Sequence, residues 1–205
     1  MEIVVATKNK GKIKEIREAL KDIDIKILSL DEIGLEIEIE EDGKTYSENA
    51  VKKAVEVAKK SGKISLADDS GLEIDALNGK PGINSSRFAG DDADDRERNL
   101  KVLEMMKDVS HGKRGARFRC IIAIAEPNGK SYTCEGVCEG EIAERIRGAQ
   151  GFGYDPIFIP HLCISAGYEC SKTFGELGSD VKDKISHRAK ALEKAGEIIK
   201  SRLME

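Results

Sequence analysis

Apolar residues recur along the chain in two rhythms, one of period two and one of period 3.6, and between them they outline alternating strands and helices. Ile3-Val4-Val5-Ala6 is an unbroken apolar run, the signature of a strand buried on both faces. It ends in the polar stretch Thr7-Lys8-Asn9-Lys10-Gly11-Lys12, after which Ile13, Ile16 and Leu20 keep helical spacing. Ile25 to Leu30 predicts a second strand. Leu35 to Glu40 alternates strictly, which sets isoleucines on one face and glutamates on the other; such stacked carboxylates usually face solvent. Tyr46-Ser47-Glu48-Asn49 opens a helix whose stripe is Ala50, Ala54 and Val57 and whose end is placed at Gly62. Lys52 and Lys53 lie on it, pointing either to solvent or into a cleft.

Further along, Ile64-Ser65-Leu66 predicts a strand running into a tight turn at Ala67-Asp68-Asp69-Ser70-Gly71-Leu72, with another strand from Leu72 to Leu77. A loop at Asn78 to Gly82, a second at Arg87 to Asp92 and a helix from about Asp94 to Lys107 follow. Arg117 to Glu126 and Lys130 to Glu139, joined by Pro127-Asn128-Gly129, make the clearest β-hairpin, with Phe118, Cys120, Ile122 and Ile124 inward and Cys134 and Cys138 on one face of the return strand. Gly148 to Pro156 is a glycine-rich loop entering the strand Ile157-Phe158-Ile159. Lys182, Lys184, Ser186, His187 and Arg188 cluster at the start of a last helix with the stripe Ile185, Ala189, Leu192, Ile199 and Leu203. Neither a repeat nor a linker interrupts the pattern, so residues 1–205 read as one domain.

Composition narrows the class. With 40% apolar and 35% charged residues over 205 positions, the chain reads as a soluble globular protein with a proper core. No apolar run is long enough to cross a bilayer and the N-terminus lacks a basic flank and cleavage site, so a cytoplasmic protein without membrane association is expected. The net charge of −4 argues against a nucleic-acid binder. Five cysteines without a Cys-x-x-Cys pair read as free thiols. Only 4% of residues are aromatic, which makes Phe152 and Tyr154 in a loop conspicuous. A ring there either stacks on a nucleobase, worth roughly 1–3 kcal/mol, or plugs the end of the sheet.

The candidate chemistry centres on Asp68-Asp69-Ser70-Gly71. Two adjacent acids at a strand end can coordinate a hard cation through oxygen, although the stretch alone reads rather as a solvated turn. Backbone N–H groups at the start of the first helix, with lysines beside Thr7 and Asn9, suit phosphate; ordinary capping by Asn9 is the competing reading. Glu40 or Glu41 reaches a metal if the fold brings it opposite Asp69.

In combination these motifs closely resemble the inosine triphosphate pyrophosphatase family, the noncanonical purine nucleoside triphosphate pyrophosphohydrolases. The resemblance runs from Thr7-Lys8-Asn9-Lys10-Gly11-Lys12 through Glu48-Asn49-Ala50, Ala67 to Leu72, Pro81-Gly82-Ile83 and Phe152-Gly153-Tyr154-Asp155 to Ser186-His187-Arg188. It implies an elongated, two-lobed α/β protein around a long mixed β-sheet, an active-site cleft between the lobes, a homodimer, and Mg²⁺-dependent cleavage of ITP, dITP and XTP to the monophosphate and pyrophosphate. Carried over by residue, Thr7, Lys8, Asn9, Lys10, Gly11, Lys12 and Lys53 hold the triphosphate and Ser70 touches the substrate. Glu40, three residues before Gly43, and Asp69 ligate the metal; Asp69 is the general base, with Asp68 in support. Phe152 stacks on the base, Gly153, Tyr154 and Asp155 complete the loop, and Lys182, His187 and Arg188 approach the purine edge. Arg188 offers only donors, which suits a 6-keto oxygen and leaves the adenine 6-amino group unpaired. The segment from Cys163 to Cys170 departs from the pattern, and Asp180-Val181-Lys182 leaves Lys182 and Lys184 as rival positions. Two other classes fit parts of this set: a pyrophosphohydrolase of modified pyrimidine nucleotides, and a nucleotide-binding regulator without catalysis.

Overall fold

A computed structural model describes residues 1–161 and 171–204. Cys163, Cys170 and the unmatched stretch between them lie outside the described residues. The elements are β1 (Glu2–Val5), α1 (Lys10–Ala19), β2 (Lys26–Ser29), α2 (Tyr46–Ser61), β3 (Ile64–Ile74), α3 (Asp95–Met105), β4 (Gly115–Ala125), β5 (Ser131–Ile142), β6 (Phe158–Pro160), α4 (Phe174–Leu177), α5 (Ser179–Ile185) and α6 (His187–Arg202), linked by short 3₁₀ turns. The strands form one mixed sheet in the order β2-β1-β3-β4-β5-β6. β1 runs parallel to both β2 and β3, and β6 runs antiparallel to β5. Among the described residues no helix is long and apolar enough to cross a membrane.

The chain divides into two compact units, neither of them contiguous in sequence. Unit 1 comprises Met1–Asp69, Cys120–Gly136 and Arg188–Glu205; unit 2 comprises Ser70–Arg119 and Val137–His187. In unit 1 period two divides the strands between two cores. Ile3, Val5, Leu66, Cys120, Ile122 and Ile124 meet α1 and α6, while Val4, Ala6, Ala67, Ala123 and Ala125 meet Ala50, Ala54, Val57 and Ala58 of α2. In unit 2 one core gathers Leu72, Ile74, Val102, Met106, Phe118, Tyr154, Phe158 and Phe174. Arg114 is buried there and donates to the carbonyls of Met106, Val109, Ile142 and Ala143.

Local signals place most of the helix ends. Asn9 caps α1 by accepting from Lys12 N at 3.0 Å, and Thr45 caps α2 while Gly62 ends it with φ +66°. Asp94 and Glu97 form a reciprocal capping box on α3.

Three expectations change. β3 does not turn at Ser70-Gly71 but continues for 11 residues to Ile74, and Asp75–Leu77 is a 3₁₀ turn. Leu35 to Glu40 keeps its alternation, with Ile37 buried and Glu36, Glu38 and Glu40 exposed, yet it joins no strand of the sheet, because its apolar residues pack on the α2-side core instead. The last helix is broken at Ser186, which is extended (ψ 163°); Lys182, Lys184 and Ile185 belong to α5, and the stripe of α6 is Ala191, Leu192, Ala195 and Ile199.

Candidate active site

Because β3 runs straight through Asp68-Asp69, successive side chains leave it on opposite faces. Asp68 joins Leu66 on the α1/α6 side and Asp69 joins Ala67 on the α2 side. Neither is solvated: Asp68 is 1% exposed and Asp69 5%. The expectation that neighbouring carboxylates share one cation gives way to two separate settings.

On the first face, Asp68 is ringed by donors. Lys12 of α1 pairs with its Oδ1, Arg188 Nε donates to its Oδ2 at 2.8 Å, and the Cys120 thiol donates to the same oxygen at 3.0 Å. Arg188 is itself buried, and its Nη1 pairs with Glu15. Burial alone would push the Asp68 carboxyl up, but the Arg188 and Lys12 charges outweigh it and hold the group well below its usual range. Burial and the adjacent Asp68 charge push the Cys120 thiol far up, leaving it an inert donor.

The second face is poorer in positive charge. Lys53 Nζ is 3.4 Å from Asp69 Oδ1, donates to Glu41 Oε1 at 2.8 Å and donates to the Asp68 carbonyl at 2.8 Å. Asn49, one turn before Lys53, donates from Nδ2 to Asp69 Oδ2 at 3.2 Å and accepts from Gly43 N at 2.8 Å. Gly43 is needed there, since a Cβ would sit 2.5 Å from Asn49 Oδ1. Burial pushes the Asp69 carboxyl up; Lys53 opposes the rise and the Glu41 charge adds to it. Burial works against the Lys53 ammonium, but Asp69 and Glu41 outweigh it and raise its pKa.

These contacts sort the expected residues of unit 1. Thr7 and Asn9 sit at the start of α1, where Thr7 Oγ1 accepts from Asn9 N at 3.2 Å; Lys8 and Lys10 are exposed, and Lys12 beside Gly11 turns inward to Asp68. Lys53 points inward, whereas Lys52 pairs with Asp42 at the surface. The alternation that exposes Glu40 brings Glu41, not Glu40, toward Lys53 and Asp69. Arg188 commits Nε and Nη1 to Asp68 and Glu15, so those nitrogens are not presented to a 6-keto oxygen.

Unit 2 holds the aromatic loop. Gly151, at φ +79°, packs so closely on the Asp155 carboxylate that no Cβ fits. Asp155 Oδ2 accepts from Phe152 N at 2.9 Å and from Lys182 Nζ at 2.7 Å, and that ammonium lies 4.2 Å from the centre of the Phe152 ring. Lys182 is thus the lysine at the loop, while Lys184 is exposed. Tyr154 is a core residue whose hydroxyl donates to the Ser85 carbonyl at 2.8 Å, so its ring serves as the anchor of the loop. His187 is buried with its ring stacked on Phe118, centroids 4.6 Å apart, and Ser70 is half-buried in β3.

Glu15, Asn49, Cys120, Asp95 and Asn99 went unassigned in the sequence. Helical spacing marks two pairs of polar positions, Asn49 with Lys53 and Asp95 with Asn99, each four residues apart, but nothing in the spacing says what they face.

The oxygen donors of Asp69 and Glu41 suit a hard cation that the protein holds only in part. Among the described residues no three His, Cys, Asp or Glu side chains converge into a protein cage. Mg²⁺ is commonly held by one or two carboxylates plus substrate phosphates, and Asp69, whose ionisation is disfavoured by burial and by the Glu41 charge, gains from a cation there.

A dITP/XTP pyrophosphatase of Desulforamulus reducens is 50% identical over 200 residues, covering 97% of this chain and 96% of that protein. One from Bacillus subtilis is 48% identical, covering 98% of each. The structure of a HAM1 protein from Coxiella burnetii superposes with a TM-score of 0.84 at 44% identity, covering 98% of both chains. With the Ham1 family model matching residues 3–198, the chain belongs to the Ham1 family.

Proposed function

We propose that this protein is a cytoplasmic, homodimeric nucleoside triphosphate pyrophosphohydrolase that cleaves dITP, ITP and XTP to the monophosphate and pyrophosphate with Mg²⁺, removing noncanonical purines from the nucleotide pool. The names of its relatives support the substrate class. The observation that carries the chemistry is Asp69, a buried carboxylate raised by burial and Glu41, oriented by Asn49 and faced by the Lys53 ammonium.

Asp69 and Glu41 would hold the metal, which when bound would neutralise charge on the triphosphate. Asp69 also takes a proton from water as the water oxygen bonds to phosphorus and the bridging P–O bond between the α- and β-phosphates breaks, with pyrophosphate leaving. Thr7, Asn9, Lys12 and Lys53 position the phosphates, and Ser70 contacts the substrate. Phe152 stacks on the base, with Asp155 and Lys182 beside it. Arg188, engaged by Asp68 and Glu15, supports the phosphate side.

A substrate panel with Mg²⁺ tests this reading. Pyrophosphate released from dITP, XTP and ITP much faster than from GTP or ATP is the expected result. Orthophosphate as the product, or ATP as the best substrate, overturns it.

A further inference from the structure

The loop assigned to the base is held by two groups that the proposed chemistry leaves unused. Gly153 adopts φ +63°, and both of its backbone polar groups, in two successive peptide units, are tied to α3: its N–H donates to Asp95 Oδ2 at 2.7 Å, and its carbonyl accepts from Asn99 Nδ2 at 2.9 Å. Asn99 Nδ2 also donates to the Asp95 carbonyl at 2.7 Å, so the amide nitrogen faces two carbonyl oxygens and its orientation is fixed. Asn99 is 2% exposed, and its Oδ1 lacks a hydrogen-bond partner among the described residues. A leucine of similar shape would avoid that unsatisfied oxygen. What the amide supplies that leucine does not is the bond to Gly153.

On one side of the clamped residue is the Phe152 ring, and on the other the Tyr154 hydroxyl is anchored on Ser85. Ser85 in turn donates to the Gly82 carbonyl and accepts from Leu72 N, which gives the Pro81-Gly82-Ile83 motif a place in the same support.

We propose that Asp95 and Asn99 are positioning residues for nucleotide binding, fixing Gly153 through both its N–H and its carbonyl so that Phe152 and Asp155 are presented to the purine in one conformation. This rests on the reading of residues 152–155 as the base site. Releasing the clamp lets the loop populate other conformations, and apparent affinity falls with the competent fraction. The groups that act on the phosphates are untouched, so KM rises while kcat holds.

The test compares kcat and KM for dITP in Asp95→Ala, Asp95→Asn, Asn99→Leu and Phe152→Ala. Asp95→Ala and Asn99→Leu are expected to raise KM about tenfold, the scale of a lost hydrogen bond to a charged or buried group, with kcat within about twofold. Asp95→Asn keeps an acceptor for the Gly153 N–H and should recover most of the loss, which a general weakening of the fold would not reproduce. The Asp95 side chain is 45% exposed, so its variants leave the core intact even if Asn99→Leu does not fold; thermal unfolding checks this. If Phe152→Ala raises KM while Asp95→Ala leaves it within twofold of the parent, the clamp is overturned and the base site stands. Unchanged KM in Phe152→Ala removes the base-site reading and the clamp with it.

Discussion

On the α1/α6 face of β3, Asp68 is surrounded by Lys12, Arg188 and the Cys120 thiol and is held in its ionised form. On the α2 face, one peptide unit later, Asp69 meets Lys53, which is shared with Glu41, and its ionisation is opposed. The residues are chemically identical, both buried and adjacent. What separates them is the pleat, which gives each the charge environment of a different helix. An anion saturated with cations is suited to fixing structure, whereas one left short of positive charge is suited to taking a metal or a proton.

Substitutions can break this contrast from either side. The largest effect is expected from Asp69→Asn: kcat for pyrophosphate release should fall on the order of 10³-fold or more, since a general base and a metal ligand go together. Stability should move the other way. The folded carboxyl is raised above its ordinary value of 3.8, so its ionisation costs stability as pH rises through and above that value. In metal-free buffer Asp69→Asn should therefore resist urea better than the parent at pH 7, with the gap closing towards pH 3.8. A lower urea midpoint at pH 7 would reverse the assignment.

Asp68→Asn comes next. It leaves the Arg188 guanidinium and Lys12 without their shared anion, a loss of about 3–5 kcal/mol for a broken buried pair. The folded carboxyl is depressed, so its contribution is complete above 3.8 and disappears as pH falls through the depressed value. The parent should lose more stability than the variant in that acid range, so the gap between them narrows; urea midpoints at pH 7 and pH 3 measure both. A loss below about 1 kcal/mol would mean that Glu15 compensates Arg188 unaided. Smallest is Cys120→Ala, which removes one weak donor and a little volume for about 1 kcal/mol, with turnover within twofold.

The strands, the caps and the helix stripes were legible because each is a local pattern. Asn9, Thr45 with Gly62, and the hairpin across Pro127-Asn128-Gly129 needed nothing beyond their neighbours. Asp68-Asp69-Ser70-Gly71 misled as a turn because polar residues and a glycine are turn chemistry, and burial among lysines and arginine from distant segments overrode it. Leu35 to Glu40 declared its buried face correctly, but alternation cannot say whether that face finds a strand or a helix to pack on. Glu41 and Arg188 were named as candidates, but what each faces was hidden for a related reason. Their roles depend on partners 12 and 120 residues away, which spacing does not encode.

The Asp68 cluster also bears on how the chain is made. Lys12 and Glu15 leave the ribosome first, Asp68 and Cys120 follow, and Arg188 emerges last, 120 residues after the carboxylate it serves. Until then a buried anion lacks its strongest counterion, so the nascent β1-β3-β4 layer has no stable place for it. Vectorial synthesis therefore leaves unit 1 open until α6 docks, and a nascent chain stalled before Arg188 should be protease-sensitive throughout unit 1.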